Sequence, residues 1–191
     1  MPLTWVKRGW QAKSTIGSSA MAEYPAHLAV RRRLADGRCV VIRPIRPDDE
    51  ARELEFFGRL SGDARRRRFM KHADAVNGEL AHFFADIDYQ RHMAFVCESG
   101  NALVGDARYV GNPDRRSCEF GIVVADDWHH TGIAQLLMDA LIRAARARGF
   151  ETMEGIVLED NRDMLDFVRE LGFERVPAAE QPSIVRIVKK L

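Results

Sequence analysis

The stretch Glu119-Phe-Gly-Ile-Val-Val-Ala-Asp-Asp-Trp-His-His-Thr-Gly-Ile-Ala134 decides the fold. Its first part, through Ala125, is apolar and β-branched, the pattern of a buried strand. Asp126 to Thr131 is a polar loop, with Asp126 and Asp127 expected to be exposed. Beyond Gly132, Ile133, Leu136, Leu137, Ala140, Leu141, Ala144 and Ala145 recur at helical spacing. Arg143, Arg146 and Arg148 favour the C-terminal end and Gly149 stops the run, which predicts a helix over 132–148. A strand that enters a helix through a short loop presents main-chain N–H groups with no helical acceptor, a site for an anion. Glu119 is a lone carboxylate on that strand. Together they suggest an enzyme that holds a phosphorylated carrier and removes a proton beside it.

Working outward, Cys39 to Ile42 is β-branched, follows an Asp36-Gly37 turn signal and reads as a strand ended by Pro44 and Pro47. Asp48 is a good N-cap for a helix to about Leu60, with Leu54, Phe57 and Leu60 on its apolar side. Arg65 to Met70 and Gly78 to Ile87 read as short helices, the second with Phe83, Phe84 and Ile87 inward. Met93 to Glu98, Ala102 to Val110 and Ser117 to Ala125 are three strands in series, and their short loops favour antiparallel pairing. After the long helix come a strand over Thr152 to Leu158, a helix over Asn161 to Leu171 stopped by Gly172, and a last strand over Ile184 to Val188. The order predicts a mixed α/β (α+β) domain with helices packed on a sheet.

The 191 residues suffice for one domain with a sizeable core, and no run of 18 apolar residues predicts a membrane span. No apolar segment follows Lys7, Arg8 and Lys13, so a secretory signal is not expected and the cytoplasm is the default location. Cys39, Cys97 and Cys118 lie in strand-like surroundings and read as buried free thiols. Residues 1–47 hold nine Lys/Arg against two Asp/Glu, a net of +7, and the remainder holds 20 against 26, a net of −6. An acidic body argues against a nucleic-acid-binding core. The polar N-terminal stretch, with Trp5 and Trp10, reads as a flexible basic extension over 1–23, and Met21 is an alternative start.

The loop is not a P-loop, since no Gly-Lys-Ser/Thr follows, and it lacks the G-x-G-x-x-G of a dinucleotide site. Cys118 to Ala134 instead resembles the acyl-CoA-binding segment of GNAT-superfamily N-acetyltransferases. That family's Arg/Gln-x-x-Gly-x-Gly/Ala loop appears here as His129-x-x-Gly132-x-Ala134. Asn161-x-x-Met164 and Leu171-Gly172-Phe173 match the family's last helix, and the resemblance runs from about Val40 to Leu191. The chain further resembles the acetyltransferase domain of Pat-type bacterial protein lysine acetyltransferases. The stretches are Tyr24-Pro-Ala-His-Leu28, Ile42-Arg-Pro-Ile-Arg-Pro47, Ile87-Asp-Tyr89 with Met93-Ala94, Gly105 to Val110, and Gly155-x-Val157-Leu158-x-x-Asn161.

The resemblance implies a GNAT domain over 24–191, a mostly antiparallel sheet with helices on both faces, and acetyl-CoA as co-substrate without a metal. It implies cofactor contacts along Ile122, Val123 and Val124, with the pantetheine arm pairing at positions 122 and 124. The pyrophosphate would rest on the N–H groups of His129, His130, Thr131, Gly132, Ile133, Ala134 and Gln135. Asn161 would lie near the arm, and Glu119 would be the general base. Two departures stand out. His129 replaces the usual Arg/Gln and His130 a usual Gly, side chains that could crowd the loop. Val168 replaces the tyrosine that in many members protonates the thiolate, a residue Pat-like sequences often lack. The implied acceptor is a protein lysine, for example on an acyl-CoA synthetase, and a homodimer is left open. Pat-like proteins often add a ligase-like or cyclic-nucleotide domain. This chain has room for neither, so such regulation is expected to be absent or supplied in trans.

A carboxylate suits position 119 because a lysine amine, with an unperturbed pKa of about 10.4, is neutral in only about one copy in two thousand at pH 7. The residues alone favour a Glu119 paired with Arg108 or Arg115 across the hairpin; the resemblance favours the base. Arg65 to Arg68 could meet a phosphate or an acidic protein, and a solvated helix face is the simpler expectation. His72, His82 and His92 have no partner at useful spacing, and a His129-His130 metal site lacks a third ligand nearby. Asp86 and Asp88 could greet a cationic acceptor or simply mark helix ends. Two rival functions remain: acetylation of a small-molecule amine, and a non-catalytic acyl-CoA-sensing module.

Overall fold

A computed structural model describes residues 23–69, 78–176 and 183–191. Among them eight strands form one sheet in the order β1-β2-β3-β4-β5-β6-β8-β7. They are β1 (Val30–Arg33), β2 (Cys39–Pro44), β3 (His92–Ser99), β4 (Ala102–Gly111), β5 (Ser117–Val124), β6 (Thr152–Leu158), β7 (Glu174–Val176) and β8 (Ile184–Lys190). All neighbours pair antiparallel except β5 and β6, which run parallel. The helices are α1 (Glu50–Arg59), α2 (Gly62–Phe69), α3 (Gly78–Ala85), α4 (Ile133–Ala147) and α5 (Arg162–Glu170).

Alternation along β4 sorts the helices onto two faces. A Cβ on Gly105 would stand 2.9 Å from Leu137 and 3.3 Å from Ile133, so this face carries α4. Arg108, three residues on, points the other way and meets Phe84 of α3 and Glu53 of α1. Directly paired residues share a face, and β4 pairs Val110 with Glu119, Arg108 with Gly121 and Asp106 with Val123. Glu119, Gly121 and Val123 therefore stand on the side of α1 and α3. The core beneath those helices is aromatic, with Phe57 in edge contact with Phe69 and Phe84 at 5.2 and 5.6 Å. On the opposite face Leu137, Met138, Leu141 and Ala145 of α4 are fully buried.

Several elements depart from the sequence reading. The chain makes a 3₁₀ turn over Pro47–Asp49 before α1, and Asp49 rather than Asp48 anchors it. Its carboxylate accepts the Arg46 N–H at 2.9 Å and two bonds from the buried Arg43 guanidinium at 2.6 and 2.7 Å. A buried arginine that needs an anion selects the inward-pointing aspartate. Leu54 is exposed, and the buried face of α1 is Glu53, Phe56 and Phe57, with Leu60 just past its end. Cys39 is exposed at the start of β2, whereas Cys97 and Cys118 are buried. The long helix is 15 residues, because Gly132 and Arg148 are its boundary residues. β1, mostly arginine, and the three-residue β7 were not expected. The extension before Glu23, with Trp5, Trp10 and Met21, lies outside the described residues, as do Met70 and His72.

Candidate active site

β5 pairs with β4 from Cys118 to Val124 but with β6 only over Ser117–Glu119. Past Glu119 the two parallel strands part. Phe120 helps to hold them apart: its ring packs on Phe173 at 5.0 Å and lies where a side chain on Gly155 of β6 would stand, 2.7 Å from that Cβ. Ala125 N–H donates to Val104 O at 2.9 Å, so its main chain faces β4. By alternation Ile122 and Val124 turn their N–H and C=O toward the opened side. The carbonyl of Val124 is already engaged, with His129 Nε2 at 3.1 Å.

The loop into α4 is held by its own bonds: Trp128 N–H to Ala125 O at 2.9 Å and Thr131 Oγ1 to Trp128 O at 2.7 Å. Gly132 has φ +87° and His130 φ +59°. His130 thus adopts the left-handed backbone that glycine takes freely, and the turn is kept despite the side chain. The first main-chain bond of α4 runs from Leu136 N–H to Gly132 O at 3.1 Å. The N–H groups of Gly132, Ile133, Ala134 and Gln135 precede it, have no helical acceptor, and carry the positive end of the helix dipole. Asp126 is tied down from outside the loop, accepting the Ser61 N–H at 3.1 Å and its hydroxyl at 2.8 Å. Burial alone would raise the Asp126 carboxyl; the Ser61 bonds and His129 outweigh it and hold it below the usual range.

These parts enclose a cleft of about 550 Å³, within the roughly 300–1,000 Å³ of small-molecule sites. Glu119, Ile122, Val123, Val124, the whole run from His129 to Gln135, and Asn161 all line it. The facing wall is Ile156 to Leu158 of β6 with Met164 and Phe167 of α5. Asn161 also caps α5, its Oδ1 accepting the Met164 N–H at 3.4 Å.

Glu119 is 7% exposed. The arginine expected opposite it is used elsewhere. Arg108 donates to Asp106 at 2.6 and 3.1 Å, to the Phe84 carbonyl at 3.0 Å, and to Glu53. Arg115 sits in the β4–β5 turn with φ +59°, and Val110 is the register partner of Glu119. The neighbouring Cys118 thiol, on the opposite face of β5, is pushed up to about 12 by burial.

The cleft also has residues that sequence reading missed. Asp63, Ala64, Arg67 and Arg68 of α2 line it. Arg65 to Arg68 is the solvated face expected except at Arg68, which is buried; the exposed Arg66 reaches Asp63 at 3.2 Å and Asp160, before α5, at 2.8 Å. Ser61 begins α2, accepting the Ala64 N–H at 3.1 Å while it holds Asp126. Asp88 closes a turn by accepting the Gln90 and His92 N–H groups. His82 meets Glu50 at 2.9 Å, and the buried His92 packs on Phe83. Among the described residues no three His, Cys, Asp or Glu side chains are grouped to hold a metal ion. Nor is any described helix long and apolar enough to cross a membrane.

The model of the acetyltransferase (GNAT) family matches residues 59–173, more than half of the chain. This protein belongs to the GNAT acetyltransferase family. It is an acetyl-CoA-dependent acyltransferase. A relative of this GNAT acetyltransferase, acetyltransferase PA5475 of Pseudomonas aeruginosa, is 40% identical over 144 residues, which cover 73% of this chain and 77% of that protein. The GNAT domain of S. lividans PAT superposes with a TM-score of 0.82 at 24% identity, over 88% of this chain and all of that one. yncA of Salmonella typhimurium, solved with its cofactor acetyl-CoA, gives 0.62 at 18% identity over 79% of this chain and 93% of that one. At these identities the two structures establish the shared fold.

Proposed function

We propose that this acetyltransferase moves the acetyl group of acetyl-CoA to a lysine amine of a protein, with Glu119 as general base. The observation that carries the reading is the position of Glu119: buried, on the cleft wall, at the last residue before β5 leaves β6. The residues fit the co-substrate. The N–H groups of Gly132 to Gln135 would hold its pyrophosphate at the helix start. The open main chain of Ile122 and the N–H of Val124, whose carbonyl His129 already engages, would hold the pantetheine arm by strand-like bonds.

That arrangement directs an incoming amine to the Glu119 end of the cleft. Reaching the neutral amine costs roughly 4–5 kcal/mol at pH 7. A carboxylate that receives the proton, directly or through a water, offsets part of that cost. The buried Val168 supplies no proton, so the departing thiolate depends on charge stabilisation or on the solvent.

A panel assay separates the acceptor classes: a folded acyl-CoA synthetase, a lysine peptide, polyamines and free amino acids, each with acetyl-CoA. Transfer to the protein lysine well above the small amines supports the proposal. Preference for a small amine overturns the acceptor. Tight CoA binding with no transfer to any amine overturns the chemistry.

A further inference from the structure

The buried guanidinium of Arg68 belongs to the cleft, and neither CoA binding nor the Glu119 base makes use of it. Its side chain is 2% exposed. A Cβ on Gly121 would lie 2.9 Å from its Nη1, 3.0 Å from its Cζ and 3.2 Å from its Nη2. The guanidinium therefore lies directly on β5, in the space that a side chain at position 121 would fill. Gly121 stands on the same face as Glu119, two residues along, which is about 6–7 Å at the rise of a strand. Asp106, on that face too, holds Arg68 Nη2 at 3.6 Å, and the Phe69 and Phe84 rings lie 5.3 and 5.7 Å from its Cζ.

Burying a guanidinium is expensive, and an apolar residue of similar volume would serve packing as well or better. Arg68 shares Asp106 with Arg108, which holds that carboxylate by two shorter contacts. Burial lowers the Arg68 guanidinium to about 10, with Asp106 and Glu53 pulling against Arg108, so it stays charged at neutral pH. A fixed cation beside the reacting groups has two effects. It favours the neutral form of an amine that approaches Glu119, and it stabilises negative charge that develops on the acyl oxygen or the sulfur.

Resting on the Glu119 reading, we propose that Arg68 is the electrostatic catalyst of the transfer, placed against Gly121 to stabilise the anionic charge of the reaction. A C–N bond forms and the C–S bond breaks. The electron pair stays on sulfur and the amine's proton goes to Glu119. Arg68 exchanges no proton, so the balance is unchanged. This supplies the stabilisation that Val168 does not.

The test compares Arg68→Gln, Gly121→Ala and Glu119→Gln for kcat, calorimetric CoA affinity and melting. Arg68→Gln is expected to lower kcat by about 10²-fold, with CoA affinity unchanged, part of kcat restored by millimolar guanidinium, and melting lowered by the loss of a buried charge. Gly121→Ala, which keeps the charge but pushes it off the strand, is expected to lower kcat in the same direction. Unchanged kcat in either variant overturns the proposal. So does a loss that tracks weaker CoA binding, or one that guanidinium does not rescue. If Arg68→Gln does not fold, Gly121→Ala decides alone. The Glu119→Gln arm keeps the readings apart: full turnover there with a slowed Arg68→Gln removes the base and leaves the cation.

Discussion

His129 Nε2 lies 3.1 Å from the carbonyl oxygen of Val124, so the imidazole ties the anion loop back to the end of the strand that leads into it. The histidine is a tether more than an obstruction. His129→Ala removes one hydrogen bond, worth about 0.5–1.5 kcal/mol net. CoA affinity by calorimetry is expected to fall by about 2–10-fold, with kcat little changed. Tighter binding in the variant would mean that the ring competes for the Val124 carbonyl.

His130 holds a φ of +59°, a conformation that disfavours any side chain and most of all a β-branched one. His130→Gly is expected to keep stability and CoA binding. His130→Val is expected to cost about 1–2 kcal/mol in chemical unfolding. Equal stability of the two variants would show that the loop backbone is not fixed as described.

Asp49 and Glu98 share the guanidinium groups of Arg43 and Arg52. Burial by itself would raise both carboxyls, but the arginine bonds outweigh it and hold both below their ordinary values. A depressed carboxyl lends its stability in full above the unfolded pKa and loses it as pH falls toward the folded one. Asp49→Asn leaves Arg43 buried without its closest anion, which costs about 3–5 kcal/mol at pH 7. Melting curves at pH 7 and pH 3 are expected to show a smaller gap between wild type and variant in acid. A gap that stays constant would remove Asp49 ionisation as the cause.

Phe120 lies where a side chain on Gly155 would have to stand, with its ring 2.7 Å from the Cβ position. Gly155→Ala is expected to lower stability by about 1–3 kcal/mol in denaturant unfolding. CoA affinity should fall with it, because the displaced ring enters the cleft. Unchanged melting and affinity would show that Phe120 does not set the spacing of β5 and β6.

The legible parts of the molecule are continuous in sequence. Glu119 to Gln135 could be read directly because strand, loop and helix follow one another, and position along the chain there is position in the site. The opposite wall was less legible. Four consecutive arginines give no sign of which one turns inward; that depends on Ala64 and Phe69 packing α2 onto the core. The Ser61–Asp126 and Arg66–Asp160 contacts join residues 65 and 94 positions apart, and no local pattern announces them. Asp49 was hidden for a similar reason: Asp48 is the equal cap candidate until Arg43 is known to be buried beside it. β1 carries three arginines on an edge, where polarity masks the strand.

Glu119→Gln tests the proposed chemistry most directly, because it keeps the shape of the side chain and removes its basicity. Steady-state transfer to a protein lysine, read beside CoA calorimetry on the same sample, is expected to show kcat lower by about 10²–10⁴-fold with CoA affinity unchanged. A variant that turns over like the wild type would contradict the assignment of Glu119 as the base.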